Sequence, residues 1–83
     1  MNQKTLNNII GRNIKKYRLQ YNKDGEKMTQ EKLAELIDTS VSLISNLESK
    51  KISQGISINN LYKISVVLDV PINKFFEVKN DKK

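Results

Sequence analysis

The side chains with the clearest chemical potential lie on one side of a predicted helix in the middle of the chain. With Ile44 and Leu47 directed inward and successive residues about 100° apart, a set of small, uncharged side chains points outward or lies at the edge. These are Val41, Ser42, Ser45, Asn46 and Ser49. An asparagine amide can make two hydrogen bonds to an adenine edge, a serine hydroxyl can donate or accept, and a valine can contact a thymine methyl group. Because solvated helix faces ordinarily carry Lys and Glu, the pattern favours contact with base edges over a tolerant surface filled by Ser and Asn.

Two helices joined by a tight turn are needed to hold this face in place. Apolar residues repeat at helical spacing on both sides of the turn. They are Leu33, Ala34 and Ile37 before it, and Ile44 and Leu47 after it. Thr29 and Ser40 are predicted to cap the two helices, because their hydroxyls can accept hydrogen bonds from first-turn amides. The segment 30–49 therefore has the layout of a helix-turn-helix DNA reader.

Three further helices are predicted around this segment. Apolar residues at steps of three or four predict a first amphipathic helix over about residues 5–21, namely Leu6, Ile10, Ile14, Tyr17 and Tyr21. A similar run predicts a fourth helix over about 58–68, with an inward stripe of Leu61, Ile64 and Leu68. Pro71 suits the first turn of a short fifth helix that ends near Phe76. The polar segment 22–27 is expected to be an exposed loop between the first two helices. The predicted fold class is therefore all-α.

Composition bounds the size of the domain and the nature of its partner. The 83 residues are 37% hydrophobic, which is enough for one small core. We expect a single domain over residues 1–78 and a disordered charged tail over residues 79–83. The net charge is +6, with five basic and no acidic residues among the first 20, and with Lys50, Lys51 and Lys63 after the uncharged face. This positive charge would bind phosphates while neutral side chains contact bases.

The absence of cysteine and histidine excludes several classes of chemistry. Without them the chain has no disulfide, no thiol nucleophile and none of the preferred ligands of zinc or copper. Catalysis by carboxylates alone is the remaining enzymatic alternative, but Glu31, Glu35 and Glu48 fall where helix surface charges are expected. We therefore expect no enzymatic activity, no metal and no cofactor. No apolar stretch is long enough to span a membrane and no signal-peptide core follows Met1, which predicts a cytoplasmic protein.

Three blocks of sequence, taken in order, resemble a known family. They are IGRNIKKYR, MTQEKLAELIDTSVSLISNLE and LYKISVVLDVPINKFF. Through them, residues from about 10 to 76 resemble the Cro and phage-repressor family of bacterial helix-turn-helix regulators, also called the XRE family. The resemblance implies a compact five-helix domain like that of lambda repressor, with the helix-turn-helix formed by helices two and three. It also implies binding to double-stranded DNA.

The resemblance further implies roles for individual residues of this chain. Base contacts would be made by Ser40, Val41, Ser42, Ser45 and Asn46. Phosphate contacts would be made by Thr29, Gln30, Ser49, Lys50 and Lys51. Arg18 and Glu48 match the family's buried arginine and glutamate, so they would form a structural ion pair rather than contribute to specificity.

The chain departs from the family pattern in its turns. Three glycines that are usual in the family are replaced here by Asp38, Lys50 and Asp69. These residues can adopt left-handed backbone geometry at a cost of about 1 kcal/mol each, so we expect turns that are less stable or different in shape. The loop 22–27 is also longer than usual, and the sequence leaves open whether it contacts DNA, a partner or neither.

A homodimer is expected because one reading helix contacts only a few base pairs, and two-fold pairing on a palindrome doubles the readout. Phe75 and Phe76 are neighbours that differ by about 100° in direction, so at least one needs an apolar surface outside a single core stripe. Val70 and Ile72 would extend that surface. The predicted dimer interface therefore comprises these four residues. In the alternative, the charged tail or the loop around Gly55 covers the second ring.

These features predict a sequence-specific DNA-binding transcription regulator, expected to act as a repressor, with a regulatory protein partner as one candidate means of control. The rival is a protein-interaction module of an antitoxin or anti-repressor type. It would expose apolar groups away from the DNA-binding face, with candidates at Leu43, Ile52, Ile56 and Phe76. RNA binding is disfavoured because the aromatic residues lie mainly in apolar stripes. Phage-repressor, restriction-controller and antitoxin roles all fit the DNA-binding interpretation.

Overall fold

Four α-helices and one short 3₁₀ helix make up the computed structural model, which describes residues 1–78. The elements are α1 (Gln3–Gln20), α2 (Gln30–Leu36), α3 (Val41–Glu48), α4 (Ile58–Leu68) and the 3₁₀ helix Ile72–Phe76. The all-α prediction is confirmed, since residues 1–78 contain no strand. The predicted charged tail over 79–83 lies outside the described residues. None of the helices in the described part is both long and apolar enough to cross a membrane.

The predicted fifth helix is a 3₁₀ helix of five residues, so residues 1–78 contain four α-helices and not five. A side chain of α1 supplies the reason that this segment stays short. Asn13 Nδ2 donates hydrogen bonds of 2.8 and 2.9 Å to the carbonyl oxygens of Phe75 and Glu77. These carbonyls are therefore satisfied by a side chain rather than by a continuing helical ladder, and 3₁₀ geometry rarely extends beyond a few residues.

Each α-helix begins at a side-chain cap. The caps predicted at Thr29 and Ser40 are confirmed, because their hydroxyl oxygens accept hydrogen bonds of 3.0 and 3.2 Å from amides in the first turns of α2 and α3. Ser57 caps α4 in the same way at 3.1 Å. The side chain of Asn2 caps α1, which explains why this helix begins at Gln3, earlier than predicted.

The core lies where all of these elements meet. Its fully buried side chains are Ile14, Leu33, Ile37, Ile44, Ile64 and Phe75. All except Phe75 belong to the apolar stripes that the sequence predicted to face inward. Because α3 packs against both α1 and α2, its direction is fixed from two sides.

Left-handed backbone occurs at two of the three positions where the family pattern has glycine. Asp38, after α2, has φ 61°, and Asp69, at the end of α4, has φ 59°. Lys50 does not adopt this geometry, because α3 ends at Ser49 in an extended conformation with φ −82° and ψ 131°. The turn after α3 therefore differs in shape from the family pattern and carries no left-handed strain.

The long loop 22–27 is a closed turn held by its own backbone. Lys23 and Glu26 exchange backbone hydrogen bonds of 3.2 and 2.9 Å, and the side chain of Asn22 accepts one of 3.0 Å from the amide of Gly25. All six residues are exposed. The loop is thus ordered locally and presents its side chains to solvent.

Candidate nucleic-acid interface

The outer face of α3 comprises Val41, Ser42, Ser45 and Asn46, and its orientation matches the helical projection. Ile44 and Leu47 are buried on the inner side. Val41, Ser42 and Ser45 are exposed, whereas Asn46 is half-buried at the edge. The predicted outward direction is therefore confirmed for Ser42 and Ser45, whereas Asn46 and Ser49, predicted outward, are half-buried, and Val41, predicted at the edge, is exposed. Base reading by this face stays a prediction, but the face combines hydrogen-bonding groups with a small apolar group and carries no charge.

Ser40 belongs both to the fold and to the predicted base-reading set. Its hydroxyl oxygen accepts the amide of Leu43 at 3.2 Å, and the residue is exposed at the N-terminal end of α3. A serine hydroxyl that accepts through a lone pair still has its proton to donate. Ser40 can therefore cap the helix and donate one hydrogen bond outward at the same time.

Gly11 sets how closely α1 approaches α3. A β-carbon built on Gly11 would overlap the carbonyl oxygen of Leu47, and the glycine is buried. Any larger side chain would separate the two helices, because the obstacle is backbone and cannot rotate away. This glycine therefore fixes how closely α3, the predicted base-reading helix, packs against α1.

An ion pair joins α1 to the last turn of α3. Arg18 donates from Nε to Glu48 Oε2 at 2.7 Å and from Nη2 to Oε1 at 2.8 Å. Its Nη1 donates to the carbonyl oxygen of Met28 at 3.0 Å. The two side chains are 10% and 3% exposed. Such a two-pronged, nearly buried pair holds its partners in one geometry, which agrees with the structural role that the resemblance implied.

The hydrogen bonds from Arg18 to Glu48 raise the pKa of the arginine, while desolvation of the guanidinium opposes this effect. The side chain is therefore charged at any pH of interest. Removing the carboxylate would leave a cation in a site with little access to water. Loss of the Glu48 carboxylate is therefore expected to destabilise the fold.

Two residues predicted to bind phosphate also have structural tasks. Gln30 Nε2 donates to Glu48 Oε1 at 3.0 Å, which ties the first residue of α2 to the last turn of α3. Thr29 caps α2 through its hydroxyl oxygen. An amide nitrogen has a second proton and a hydroxyl has one, so both side chains keep a donor for a phosphate oxygen.

The loop after α3 presents basic side chains from an anchored backbone. Lys50 and Lys51 are exposed, and the amide of Lys51 donates to Ser49 Oγ at 3.2 Å. Further along, Ser53 Oγ accepts a hydrogen bond of 3.1 Å from Nδ2 of Asn7, a buried residue of α1. The two lysines are therefore held near the end of α3, where the resemblance places phosphate contacts.

The two phenylalanines of the 3₁₀ helix have different environments. Phe75 is fully buried, and its ring lies edge-on to that of Tyr17 with 5.5 Å between centroids. Its inclusion in the predicted dimer interface is therefore corrected, since a ring enclosed in one chain has no surface to offer a second. Phe76 is 43% exposed, and Val70 and Ile72 are partly buried against the core.

The apolar residues that were candidates for a protein-interaction surface also differ in burial. Leu43 and Ile56 pack against the core, whereas Ile52 and Phe76 are exposed. A larger apolar surface lies on α4 and was not predicted from the sequence. It is the α4 stripe, which comprises Ile58, Tyr62 and Val66 with exposures of 65%, 61% and 59%.

Sequence reasoning missed the residues that fix α1 against its neighbours. Gly11, Asn7 and Asn13 act through contacts with residues far along the chain. A signal was available at Gly11, because a glycine inside a long helical pattern costs about 1 kcal/mol relative to alanine and usually has a packing reason. The two asparagines fall among polar residues of α1, and their spacing gives no comparable signal.

Comparison with known proteins agrees with this geometry. A search of curated proteins gave no match to the chain. A family model for the helix-turn-helix domain matches residues 14–75, which includes α2, α3, α4 and most of the 3₁₀ helix. The match spans well over half of the chain, so the protein belongs to the Cro/C1-type helix-turn-helix family, the XRE family.

Proposed function

We propose that this protein is a sequence-specific transcription regulator, expected to act as a repressor, that binds a palindromic operator as a homodimer. The family assignment supports DNA binding in general. The observation that carries the finer proposal is the uncharged outer face of α3 on a helix whose inner side is fixed by Gly11 and the Arg18–Glu48 pair. A rigidly placed face of this chemistry suits discrimination among base pairs.

In this proposal the two groups of residues have separate tasks. Ser42, Ser45 and Asn46 contact base edges, with Val41 against a thymine methyl group and Ser40 as a further donor. Phosphates are bound by donors at the start of α2 and after α3, namely Thr29, Gln30, Ser49, Lys50 and Lys51. Phosphate contacts set register and affinity, and base contacts set sequence preference.

Dimerisation supplies the remaining specificity. The exposed ring of Phe76, with Val70 and Ile72, gives one chain an apolar surface that a second copy would cover. Two reading helices would then contact half-sites about 10 base pairs apart. Changing Phe76 to Glu is expected to yield a folded monomer with weak operator binding. Sedimentation equilibrium checks this, and a wild type that stays monomeric with palindromic DNA at one site per chain would refute the dimer.

The central test is whether Asn46 reads a base. An operator is first selected from a pool of random duplexes, and affinity is then measured on that operator and on a scrambled duplex. Asn46→Ala is expected to lose about 1 to 3 kcal/mol on the operator and much less on the scrambled sequence. Asn73→Ala is the matched control, because Asn73 is exposed on the 3₁₀ helix. Equal losses on both duplexes by a folded Asn46 variant would reject base reading.

The α4 stripe favours a second candidate function, a protein-interaction module of the antitoxin or anti-repressor type. Three large apolar side chains on one exposed helix face suit an apolar partner. The two functions differ in which face carries them. If the regulatory activity survives Asn46→Ala but is lost in Val66→Glu, the module is the better description.

A further inference from the structure

A pocket of about 270 Å³ opens where α1 crosses the end of α3. One wall is formed by the α1 face that includes Asn8, Arg12 and Lys15. The other wall is formed by the end of α3 and the following loop, through Glu48, Ser49 and Lys50. The close crossing at Gly11 produces this juxtaposition, because it brings the next residue, Arg12, against the last turn of α3.

The Arg12 guanidinium has unused hydrogen-bonding capacity in this pocket. Its Nη2 atom is buried and has no hydrogen-bond partner among residues 1–78. Arg18, six residues further along the same helix, instead uses Nε, Nη1 and Nη2 in hydrogen bonds. A buried donor without an acceptor is unfavourable, so a shift of the Arg12 side chain that brings Nη2 to an acceptor from outside the chain would relieve this cost.

The charge around the pocket selects an anionic acceptor. Arg12, Lys15 and Lys50 contribute three positive charges to its lining. Glu48 is the acidic residue of the lining, and both of its carboxylate oxygens already accept hydrogen bonds from Arg18. The uncompensated charge is therefore positive. Asn8 and Ser49 add neutral donors, since the Ser49 hydroxyl accepts from the amide of Lys51 and retains its proton.

We propose that this pocket binds a phosphate group of the DNA backbone and that Arg12 is its principal ligand. The inference rests on the proposed function and adds a contact from α1 that the helix-turn-helix segment does not provide. Ser49 and Lys50 belong both to the pocket and to the predicted phosphate-contact loop, so the pocket continues that surface. A guanidinium is suited to this task because its planar fork matches phosphate oxygens.

The test compares two substitutions that remove the same charge. Arg12→Gln alters the pocket, whereas Lys74→Gln alters an exposed ammonium that pairs with Glu77 at 3.3 Å, away from the pocket lining. Binding of each full-length variant to a mixed-sequence duplex is followed by fluorescence anisotropy over a range of KCl concentrations. Arg12→Gln is expected to flatten the slope of log affinity against log salt by about 0.9, and Lys74→Gln to leave it unchanged.

Thermal melting separates this role from a structural one. Because Arg12 Nη2 has no partner in the described chain, Arg12→Gln is expected to melt at or above the wild-type temperature. A lower melting temperature together with an unchanged salt slope would make Arg12 a structural residue and overturn the proposal. Equal changes of slope in the two variants would also overturn it, since the effect would then follow net charge and not the pocket.

Inorganic phosphate provides the second arm and distinguishes the source of the ligand. Titration of the wild type and Arg12→Gln with phosphate is followed by amide chemical shifts. Saturable binding that requires Arg12, with no effect of Arg12→Gln on the DNA salt slope, would assign the pocket to a free phosphate and overturn the DNA assignment. If the wild type bound no duplex at all, the proposed function would fail. If the wild type bound duplex normally and Arg12→Gln matched it, this inference alone would fail.

Discussion

The inner and outer sides of α3 differ in what they contact. On the inner side, Ile44 and Leu47 are buried, the backbone of Leu47 touches Gly11, and Glu48 is bonded by Arg18. On the outer side, the small side chains of Val41, Ser42 and Ser45 are exposed to solvent. The same two-turn helix therefore carries a densely bonded face and a face with free donors and acceptors. We expect inner substitutions to act through stability and outer substitutions to act through binding.

The largest loss of stability is expected when the ion pair is broken. Glu48→Gln removes the charge that compensates Arg18, and the two side chains are 10% and 3% exposed. Stranding one charge of such a pair costs about 3 to 5 kcal/mol. A domain of this size has a total stability of only about 4 to 12 kcal/mol, so the variant should be partly unfolded at moderate temperature. Urea denaturation followed by circular dichroism measures the change.

Glu35→Gln is the control for the loss of a carboxylate. Glu35 is exposed on α2, so its change should alter stability by less than about 0.5 kcal/mol. A Glu48 variant that unfolded at the wild-type urea concentration and bound DNA normally would show that the inner side does not depend on this pair.

The next largest effect is expected at the helix crossing. Gly11→Ala places a β-carbon on the carbonyl oxygen of Leu47, so α1 and α3 must separate. Overpacking of this kind costs about 1 to 3 kcal/mol, which outweighs the gain of about 1 kcal/mol from alanine in a helix. Gly55→Ala is the matched control, because the nearest atom to its β-carbon would be Asn7 Oδ1 at 4.0 Å. Thermal melting of the two variants should differ clearly, and equal melting would refute the tight crossing.

The inner side of α3 and the cores of the helices differ from the long-range contacts in how far the sequence predicts them. Features set by neighbours along the chain were accessible: the caps at Thr29 and Ser40, and the direction of α3 from Ile44 and Leu47. Features set by distant contacts were not. Asn13 bonds the carbonyl of Phe75, which lies 62 residues along the chain, and no local pattern indicates such a partner. The sequence indicated that Phe75 and Phe76 need different surroundings, because they are adjacent. It did not indicate which ring would be buried, because that depends on distant contacts.

The α4 stripe shows a second limit of the same kind. Periodicity identified the inward residues Leu61, Ile64 and Leu68 correctly. Periodicity gave no information on the exposed side chains of Tyr62 and Val66. An apolar face beside a core stripe can either bind a partner or remain exposed to solvent. Patterns locate buried faces more reliably than they explain exposed apolar ones.

A smaller effect, on binding and not on folding, is expected in the loop after α3. Lys50 and Lys51 are exposed, so changing both to Ala should leave the free energy of unfolding nearly unchanged. Each lost phosphate contact should flatten the slope of log affinity against log salt by about 1, for all DNA sequences alike. Anisotropy titrations over several salt concentrations measure this. Lys74→Ala is the control, since Lys74 lies on the 3₁₀ helix and pairs with Glu77, the residue after that helix, at 3.3 Å. An unchanged slope in the double variant would remove these lysines from the interface.

Among the contacts that fix α3, the smallest loss of stability is expected at its N-cap, Ser40. Ser40→Ala removes the oxygen that accepts the Leu43 amide and should cost about 1 kcal/mol of stability. Ser40→Asp retains a capping oxygen and places negative charge at a helix N-terminus, so its stability should equal or exceed that of the wild type. The same charge would repel phosphates, so Ser40→Asp should bind every duplex more weakly than Ser40→Ala does. Melting and anisotropy on both variants test this opposite ordering. If DNA affinity instead followed stability in the two Ser40 variants, capping and DNA contact could not be separated at this residue. The distinction between an inner side that stabilises and an outer side that binds would then be wrong at Ser40.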